Sequence, residues 1–220
     1  MDFNYIYKTL PDLFAGLGMT LLVSGVAICL SLLLGVIGAA LRTSGIKALE
    51  YTVAGYVEFI RGTPYLVQIF FIFYGLPSIG LTLSIFWSGA VALTIWASAF
   101  HIESFRAGLS SVGQGIKDAS ASLSLKRWHH AWFIVFPLAL RSALPSAMNT
   151  IVATVKNSAY LQAIGLVELT FVAVDRIAYE FRTVEMFASI CVLYLICVFI
   201  LSGLGHRLER RLNRPFAGRS

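Results

Sequence analysis

The chain has 220 residues, of which 58% are hydrophobic and only 13% are charged. Soluble domains carry about 25% charged residues, so this composition excludes an ordinary soluble domain and predicts a membrane protein. The net charge of +6 does not indicate a nucleic-acid-binding protein, because the basic residues follow apolar segments rather than forming one patch. The three cysteines lie inside apolar runs without paired loop spacing, which argues against disulfides and metal sites.

Apolar segments recur along the chain and predict the membrane spans. After an external N-terminal segment (1–12), residues 13–41 contain no charged residue, and a span needs only about 20. Residues 62–102 also lack Asp, Glu, Lys and Arg, and they allow two passes joined by a turn at 77–80. Further apolar runs cover 131–155 and 185–207. The sequence therefore predicts an all-α integral membrane protein with five transmembrane helices.

The distribution of basic residues predicts the orientation. They follow the first, third and fifth predicted spans: Arg42, Lys47, Arg106, Lys117, Lys126, Arg127, Arg207, Arg210, Arg211, Arg214 and Arg219. The positive-inside rule then places the N-terminus outside and the C-terminus in the cytoplasm. We expect one membrane domain over 13–206 and a basic cytoplasmic tail over 207–220.

A charged pair precedes a predicted helix break in the second span. Glu58 and Arg61 are three residues apart, so they share a helix face and can pair. Gly62 and Pro64 end the helix just beyond them. Two interpretations of Arg61 stay open at this stage. It faces protein or a water-filled path, or it lies near the cytoplasmic interface and reaches lipid phosphate.

The third predicted span carries two aromatic side chains on one face. Trp96 and Phe100 are four residues apart, a spacing that places side chains next to each other on a helix. They could stack against a ligand, although packing against another span is the commoner role of such a pair.

A polar stretch between the third and fourth spans contains most of the charged chemistry. Residues 103–145 include a segment, 110–125, whose alternation of small, polar and apolar residues suits a short helix. Such a helix buries little by itself, so it needs a partner or the membrane surface. Because this short helix lies between two spans, a soluble partner can bind the membrane protein there.

This stretch resembles the cytoplasmic coupling loop of bacterial binding-protein-dependent ABC importer permeases. The family pattern is Glu-Ala-Ala, three residues, Gly, and later Ile-x-Leu-Pro. Here the corresponding residues are Asp118-Ala119-Ser120, Ser124 and Ile134-Val135-Phe136-Pro137. The spacing is kept, but Asp replaces Glu and Ser replaces Gly.

Neighbouring motifs are similar to those of the polar amino acid subfamily of these permeases. They are Gly18-Met19-Thr20-Leu21, Arg61-Gly62-Thr63-Pro64-Tyr65-Leu66-Val67-Gln68, Tyr74-Gly75-Leu76-Pro77, Glu103-x-x-Arg106, Arg141-x-x-Leu144-Pro145-x-x-x-Asn149 and Lys156-Asn157-Ser158. The matches run from about Gly16 to Glu168. The family has Asp or Asn after the lysine; Asn157 offers a ligand ammonium a dipole rather than a carboxylate.

The resemblance implies a permease subunit with no cofactor of its own. Its partners would be a second permease subunit, two cytoplasmic ATPase subunits that bind ATP and Mg²⁺, and a periplasmic or lipid-anchored solute-binding protein. The chain lacks the Gly-x-x-x-x-Gly-Lys-Ser/Thr phosphate loop, so we expect it not to be an enzyme. The coupling loop spans about 109–130, and its expected ATPase-coupling residues are Gln114, Gly115, Asp118, Ala119, Ser120, Ser122, Leu123 and Ser124.

Substrate-path candidates come from the break, the third span and the Lys156 motif. They are Arg61, Thr63, Trp96, Phe100, Lys156, Asn157, Ser158 and Tyr160. Because the coupling pattern is weakened and position 157 lacks a carboxylate, we expect a heterodimer with a paralogous permease in the bacterial inner membrane.

Two other classes of protein are weighed against the importer subunit. An ATP-independent secondary transporter or channel requires an internal repeat or a relay of buried acids, and neither is evident. A membrane enzyme using His101, His129 or Glu103 requires acid–base groups on one helix face, and none recur at that spacing. The identity of the transported amino acid does not follow from the sequence.

Overall fold

The computed structural model describes residues 1–113, 115–116, 119, 122 and 126–213. Its helices are α1 (Phe3–Arg42), α2 (Lys47–Gly62), α3 (Tyr65–Phe70), α4 (Ile85–Ser110), α5 (Arg127–His130), α6 (Phe136–Asn157), α7 (Leu169–Glu180) and α8 (Thr183–Asn213). Short π-helical segments lie at Phe71–Gly75 and Ala131–Val135, and 3-10 segments lie at Leu76–Ile79 and Ser158–Ile164. The described residues contain no β-strand.

Four of these helical segments are long and apolar enough to cross a membrane: Phe3–Arg42, Ile85–Ser110, Trp128–Ile164 and Thr183–Asn213. A fifth candidate is the pair Lys47–Gly62 and Tyr65–Ile79, which is bent by 106°. The chain is therefore an all-helical membrane protein with four to five candidate spans among its described residues. The chain turns after Ile79, where Gly80 has a φ of 84°.

Helix α4 is the centre of the bundle and packs against both α1 and α6. Glycines make the close approach possible. A Cβ at Gly35 would lie 2.6 Å from His101 Cβ, and one at Gly38 would lie 2.5 Å from the side chain of Ile102. At the other interface, a Cβ at Gly108 would lie 2.4 Å from the carbonyl oxygen of Ala139. Small residues let backbones approach in lipid, where there is no hydrophobic drive between helices.

A buried glutamine stabilises the break between α2 and α3. Gln68 Nε2 donates to the carbonyl oxygens of Ile60 (2.8 Å) and Thr63 (3.2 Å), and to Thr63 Oγ1 (2.8 Å). Carbonyls at the end of a helix have no intrahelical partner, and Pro64 has no N–H to offer them. One side chain of α3 thus donates to acceptors at the end of α2 and bridges the bend.

Helix α7 was not expected from the sequence, and a buried carboxylate holds its N-terminus. Glu168 is fully buried, and its carboxylate accepts from the backbone N–H groups of Thr170 (2.9 Å) and Phe171 (2.8 Å). The hydroxyls of Tyr194 (3.1 Å) and Thr20 (3.4 Å) complete the cluster. The carboxylate therefore joins α1, α7 and α8. Burial raises the pKa of Glu168, and these hydrogen bonds partly offset the effect.

The end of the bundle that contains the N-terminus is tied together at the surface. Arg176 of α7 pairs with both Asp12 and Glu180. The guanidinium of Arg182 lies 5.5 Å from the centre of the Tyr5 ring. These contacts connect α7 and the following turn to the first turns of α1.

Candidate functional site

The expected coupling loop is described only in part. Gln114, Asp118, Ser120, Leu123 and Ser124 lie outside the described residues. Gly115, Ala119 and Ser122 are described, and all three are helical and exposed. The assignment of this loop as the ATPase-coupling surface stays a prediction.

Four of the substrate-path candidates are brought together by a line of aromatic contacts. Trp96 and Phe100 have ring centres 4.6 Å apart, so the pair that shares a face of α4 is in contact. Tyr65 joins Trp96 at 5.8 Å and Tyr160 at 5.9 Å. At the other end, the guanidinium of Arg61 lies 5.2 Å from the centre of the Phe100 ring. The rings line one continuous surface from the 3-10 segment after α6 to the end of α2, and Tyr160 is half exposed.

The structure shows what Arg61 contacts, while its two interpretations both stay predictions. The guanidinium is exposed and stacks on Phe100. It forms no ion pair with Glu58 or with any other acid in the described part of the chain, so the expected local pair is absent. Stacking a cation on an aromatic face is favourable by about 0.5–2 kcal/mol, depending on its exposure to water. Arg61 is therefore an exposed cation stacked on Phe100, with no hydrogen-bond or ion-pair partner among the described residues.

Beside Arg61, a polar cleft lies between α2, α4 and α6. It encloses about 240 Å³, and its polar and aromatic lining consists of Arg61, Phe100, Glu103, Ser104, Ser142, Ser146 and Thr150. Pockets that hold drug-sized ligands enclose about 300–1,000 Å³, so this cleft suits a smaller molecule. Two neighbouring grooves, one between α1, α4 and α6 and one beside α3, are almost entirely apolar.

Hydrogen bonds fix the direction of the hydroxyl groups in this cleft. Ser104 Oγ donates to the carbonyl oxygen of Phe100 (2.9 Å) and lies 2.7 Å from Ser146 Oγ. The proton of this contact can come from either serine, and each oxygen keeps at least one lone pair. Thr150 Oγ1 donates to the carbonyl oxygen of Ser146 (3.2 Å). The Ser146 and Thr150 hydroxyls on the α6 wall can therefore both accept a further hydrogen bond.

The two other charged groups near the cleft have partners. Glu103 Oε1 accepts from Nε (2.8 Å) and from a second nitrogen of Arg106, one turn further along α4. Arg141 Nε donates to the side chain of Asn213 at the end of α8.

The remaining path candidates are placed differently. Thr63 lies at the helix break and lines the apolar groove beside α3. Ser158 is fully buried, and its hydroxyl donates to the carbonyl oxygen of Val155 (2.7 Å). Lys156 is exposed and Asn157 half-buried, and neither has an ion pair or side-chain hydrogen bond within the described ranges.

Sequence reasoning missed several members of this surface. Tyr65, whose hydroxyl is buried without a partner among the described residues, sits directly after the Pro64 break. Ser104, Ser146 and Thr150 line the cleft from two helices. Ser146 and Thr150 are spaced i and i+4, a spacing that could have identified the polar face of α6. Nothing in the sequence pairs that face with Ser104.

The fold and this surface define a membrane protein with a polar, aromatic-lined face inside a helix bundle. Residues 31–214 match the family described as the binding-protein-dependent transport system inner membrane component. The chain belongs to this family, as the motifs of the sequence indicate.

Curated relatives cover nearly the whole chain. The glutamine transport system permease protein GlnP of Escherichia coli (strain K12) is 33% identical over 214 residues, which are 96% of this chain and 98% of GlnP. The probable glutamine ABC transporter permease protein GlnM of Bacillus subtilis (strain 168) is 33% identical over 217 residues, covering 98% of this chain and 100% of GlnM. The nopaline transport system permease protein NocM of Agrobacterium fabrum (strain C58) is 30% identical and covers 97% of this chain and 92% of NocM.

Solved structures share the same architecture. A chain from the crystal structure of an amino acid ABC transporter with histidines matches with a TM-score of 0.89 and 32% identity, covering 96% of this chain and 99% of that one. A chain of the MetNI methionine ABC transporter in an inward-facing conformation matches with a TM-score of 0.71 at 21% identity. The second match shows the common fold.

Proposed function

We propose that this chain is the membrane-spanning permease subunit of an ATP-driven, binding-protein-dependent amino acid importer. The observation that carries the proposal is the match, at 32% identity and a TM-score of 0.89, to a chain of an amino acid ABC transporter over almost the full length of both. Glutamine and nopaline permeases among the curated relatives support an amino acid or a related solute as the substrate class.

In the proposed assembly, the broken pair α2–α3 forms the fifth span beside the four long segments, and the N-terminus lies outside. The bacterial inner membrane contains the chain, and its basic tail lies in the cytoplasm. A second, paralogous permease subunit completes the path. Two ATPase subunits with ATP and Mg²⁺, together with an external solute-binding protein, complete the importer.

The loop between α4 and α6 would transmit the movement of the ATPases. The loop connects α4, which is the centre of the bundle, to α6, which packs against α4, and this connection supports the role. ATPase closure would shift α4 and α6 as rigid bodies, because packed helices move between discrete arrangements. That movement would open the aromatic line and the cleft first to one side of the membrane and then to the other.

The row of aromatic rings between Tyr160 and Phe100 supports a path for a small zwitterion rather than for an ion alone. Tyr65, Trp96, Phe100 and Tyr160 offer faces to the ligand side chain, and Arg61 offers donors to its carboxylate. Asn157 is half-buried and precedes Tyr160 by three residues. With an amide at this position, the partner subunit would supply the carboxylate for the ligand ammonium.

ATP-driven uptake in proteoliposomes tests the proposal. The complex is reconstituted with its binding protein and offered a panel of labelled amino acids, with Asp118→Lys beside wild type. Asp175→Lys is the control, because Asp175 is an exposed acid on α7. We expect uptake to require ATP, to collapse in Asp118→Lys while the complex still assembles, and to persist in Asp175→Lys. Uptake that proceeds without ATP would instead identify a secondary transporter or channel.

A further inference from the structure

The cleft between α2, α4 and α6 separates hydrogen-bond donors from acceptors. At its α2 edge lies Arg61, a guanidinium with five N–H donors and no ion-pair partner among the described residues. At its α6 wall lie Ser146, which shares a hydrogen bond with Ser104, and Thr150, which donates to a backbone carbonyl oxygen, and both hydroxyls keep lone pairs. The cleft thus has one donor end and one acceptor end.

A carboxylate oxygen strengthens the acceptor end. Glu103 uses Oε1 for both nitrogens of Arg106, whereas Oε2 accepts no hydrogen bond in the described part of the chain. Phe100 lines the same cleft and holds the Arg61 guanidinium by stacking. A molecule that fills this cleft must be small, with an anionic group toward Arg61 and a cationic group toward the α6 wall.

We propose that this cleft is a binding subsite for the zwitterionic head group of the transported amino acid, with its carboxylate on Arg61 and its ammonium facing Glu103, Ser146 and Thr150. The inference rests on the proposed function for the identity of the ligand. The proposed subsite lies one or more turns before Asn157 on α6, on the side of the loop that would receive the ATPase. A ligand leaving the aromatic line would occupy this site next.

The chemistry of the cleft suits a ligand that carries both an anionic and a cationic group. Arg61 lines the cleft without an ion-pair partner among the described residues, and Glu103, whose Oε1 is bound by Arg106, keeps Oε2 for a donor. A zwitterion can meet both groups and brings no net charge of its own into the cleft, whereas a simple anion offers Oε2 no donor. Because Arg61 is stacked on Phe100 and Thr150 is hydrogen-bonded within its own helix, the site is preorganised, which lowers the entropic cost of binding.

Thiol protection tests binding directly in the assembled complex. Ser146 is exposed to the cleft, so Ser146→Cys, in a chain with its three native cysteines replaced by serine, should react with N-ethylmaleimide. We expect millimolar transported amino acid to slow this labelling, and the corresponding amino acid amide, which lacks the carboxylate, to have no effect. Arg61→Gln should abolish the protection without changing the labelling rate in the absence of ligand. Ser202→Cys on α8, in a different groove, is the control that the ligand should not protect.

Uptake kinetics supply a second measurement. Arg61→Gln removes charge-assisted hydrogen bonds, and we expect the maximal uptake rate to fall about 10- to 100-fold. The half-saturating concentration should hold, since the binding protein sets capture. Arg61→Lys should recover part of the rate. Arg182→Gln also removes an arginine from an aromatic ring, and it should transport at the wild-type rate.

The outcomes separate this inference from the proposed function. Protection of Ser146→Cys without any ATP-driven uptake would keep the binding site and reject the importer. Uptake without protection would keep the importer and reject the site. If Arg61 is instead neutralised by a carboxylate of the second permease subunit, Arg61→Gln would lower the thermal stability of the complex and leave the protection intact, which would also reject the site.

Discussion

Replacing Gly108 with alanine tests the close packing of α4 against α6. An added Cβ would lie 2.4 Å from the carbonyl oxygen of Ala139, 2.8 Å from Ala143 Cβ and 3.2 Å from the Ala143 backbone nitrogen. Ordinary van der Waals contact begins near 3.4 Å, so the shortest of these is 1 Å too close. The obstructing atom is a backbone oxygen that no rotamer change can move, and the two helices must therefore separate.

The expected magnitude follows from a matched pair of glycines. Gly25 lies inside α1 with no heavy atom within 4 Å of an added Cβ. Both Gly→Ala changes gain up to about 1 kcal/mol of helix propensity, and only Gly108→Ala adds the overpacking cost of about 1–3 kcal/mol. The propensity gain cancels between the two variants. Their free energies of unfolding should differ by about 1–3 kcal/mol, with Gly108→Ala the less stable.

Thermal unfolding of the purified complex in detergent measures this difference. One kcal/mol shifts the midpoint by about 2–4 °C for a chain of this size, so Gly108→Ala should unfold roughly 2–12 °C below Gly25→Ala. Equal midpoints would show that α4 and α6 are not held at the distance described here. A lower midpoint for Gly25→Ala would refute the steric argument altogether.

Two further substitutions probe buried polar groups. Glu168→Gln leaves at least one N–H at the start of α7 without its acceptor, and we expect a loss of about 0.5–2 kcal/mol in thermal unfolding at neutral pH. Burial raises the pKa of Glu168 above its value in the unfolded chain. Wild-type stability should therefore fall as the pH rises from the ordinary carboxyl pKa of about 4.3 through the raised value. In Glu168→Gln this fall should be absent, and a variant with the same pH profile as wild type would contradict the assignment. Gln68→Met leaves the carbonyls at the α2–α3 break unpaired and should cost about 1–3 kcal/mol, whereas Val67→Met, at a side chain 56% exposed, should change the unfolding midpoint little.

Much of the fold could be predicted because local composition decides it. In a bilayer each backbone polar group must be paired within its own segment, so an uncharged run such as 13–41 forms a helix whatever surrounds it. The break at Gly62 and Pro64 and the turn ending at Gly80 are likewise local, since proline lacks an N–H and glycine tolerates positive φ. Helix α7 was missed because its amphipathic run is short, although Glu168 before it is an N-cap signal.

The candidate site could be predicted only in part. Arg61, Trp96 and Phe100 could be named as candidates because a charged residue beside a helix break and an i, i+4 aromatic pair are unusual within one segment. The spacing allows Arg61 to pair with Glu58, but the guanidinium stacks on Phe100, because spacing on one helix does not reveal a ring presented by another. Tyr65 and Ser146 join the site from separate helices, and no local pattern links them to α4.

The sequence by itself determined the class of the protein, the approximate spans and the family, because hydrophobic length and motif spacing are properties of single segments. Only the tertiary structure decided which polar groups meet. Ser104 and Ser146 are 42 residues apart and share a hydrogen bond of 2.7 Å, and Thr20 and Glu168 meet across 148 residues. The physical reason is that glycines such as Gly108 set how closely two helices approach, and that approach determines which side chains face each other.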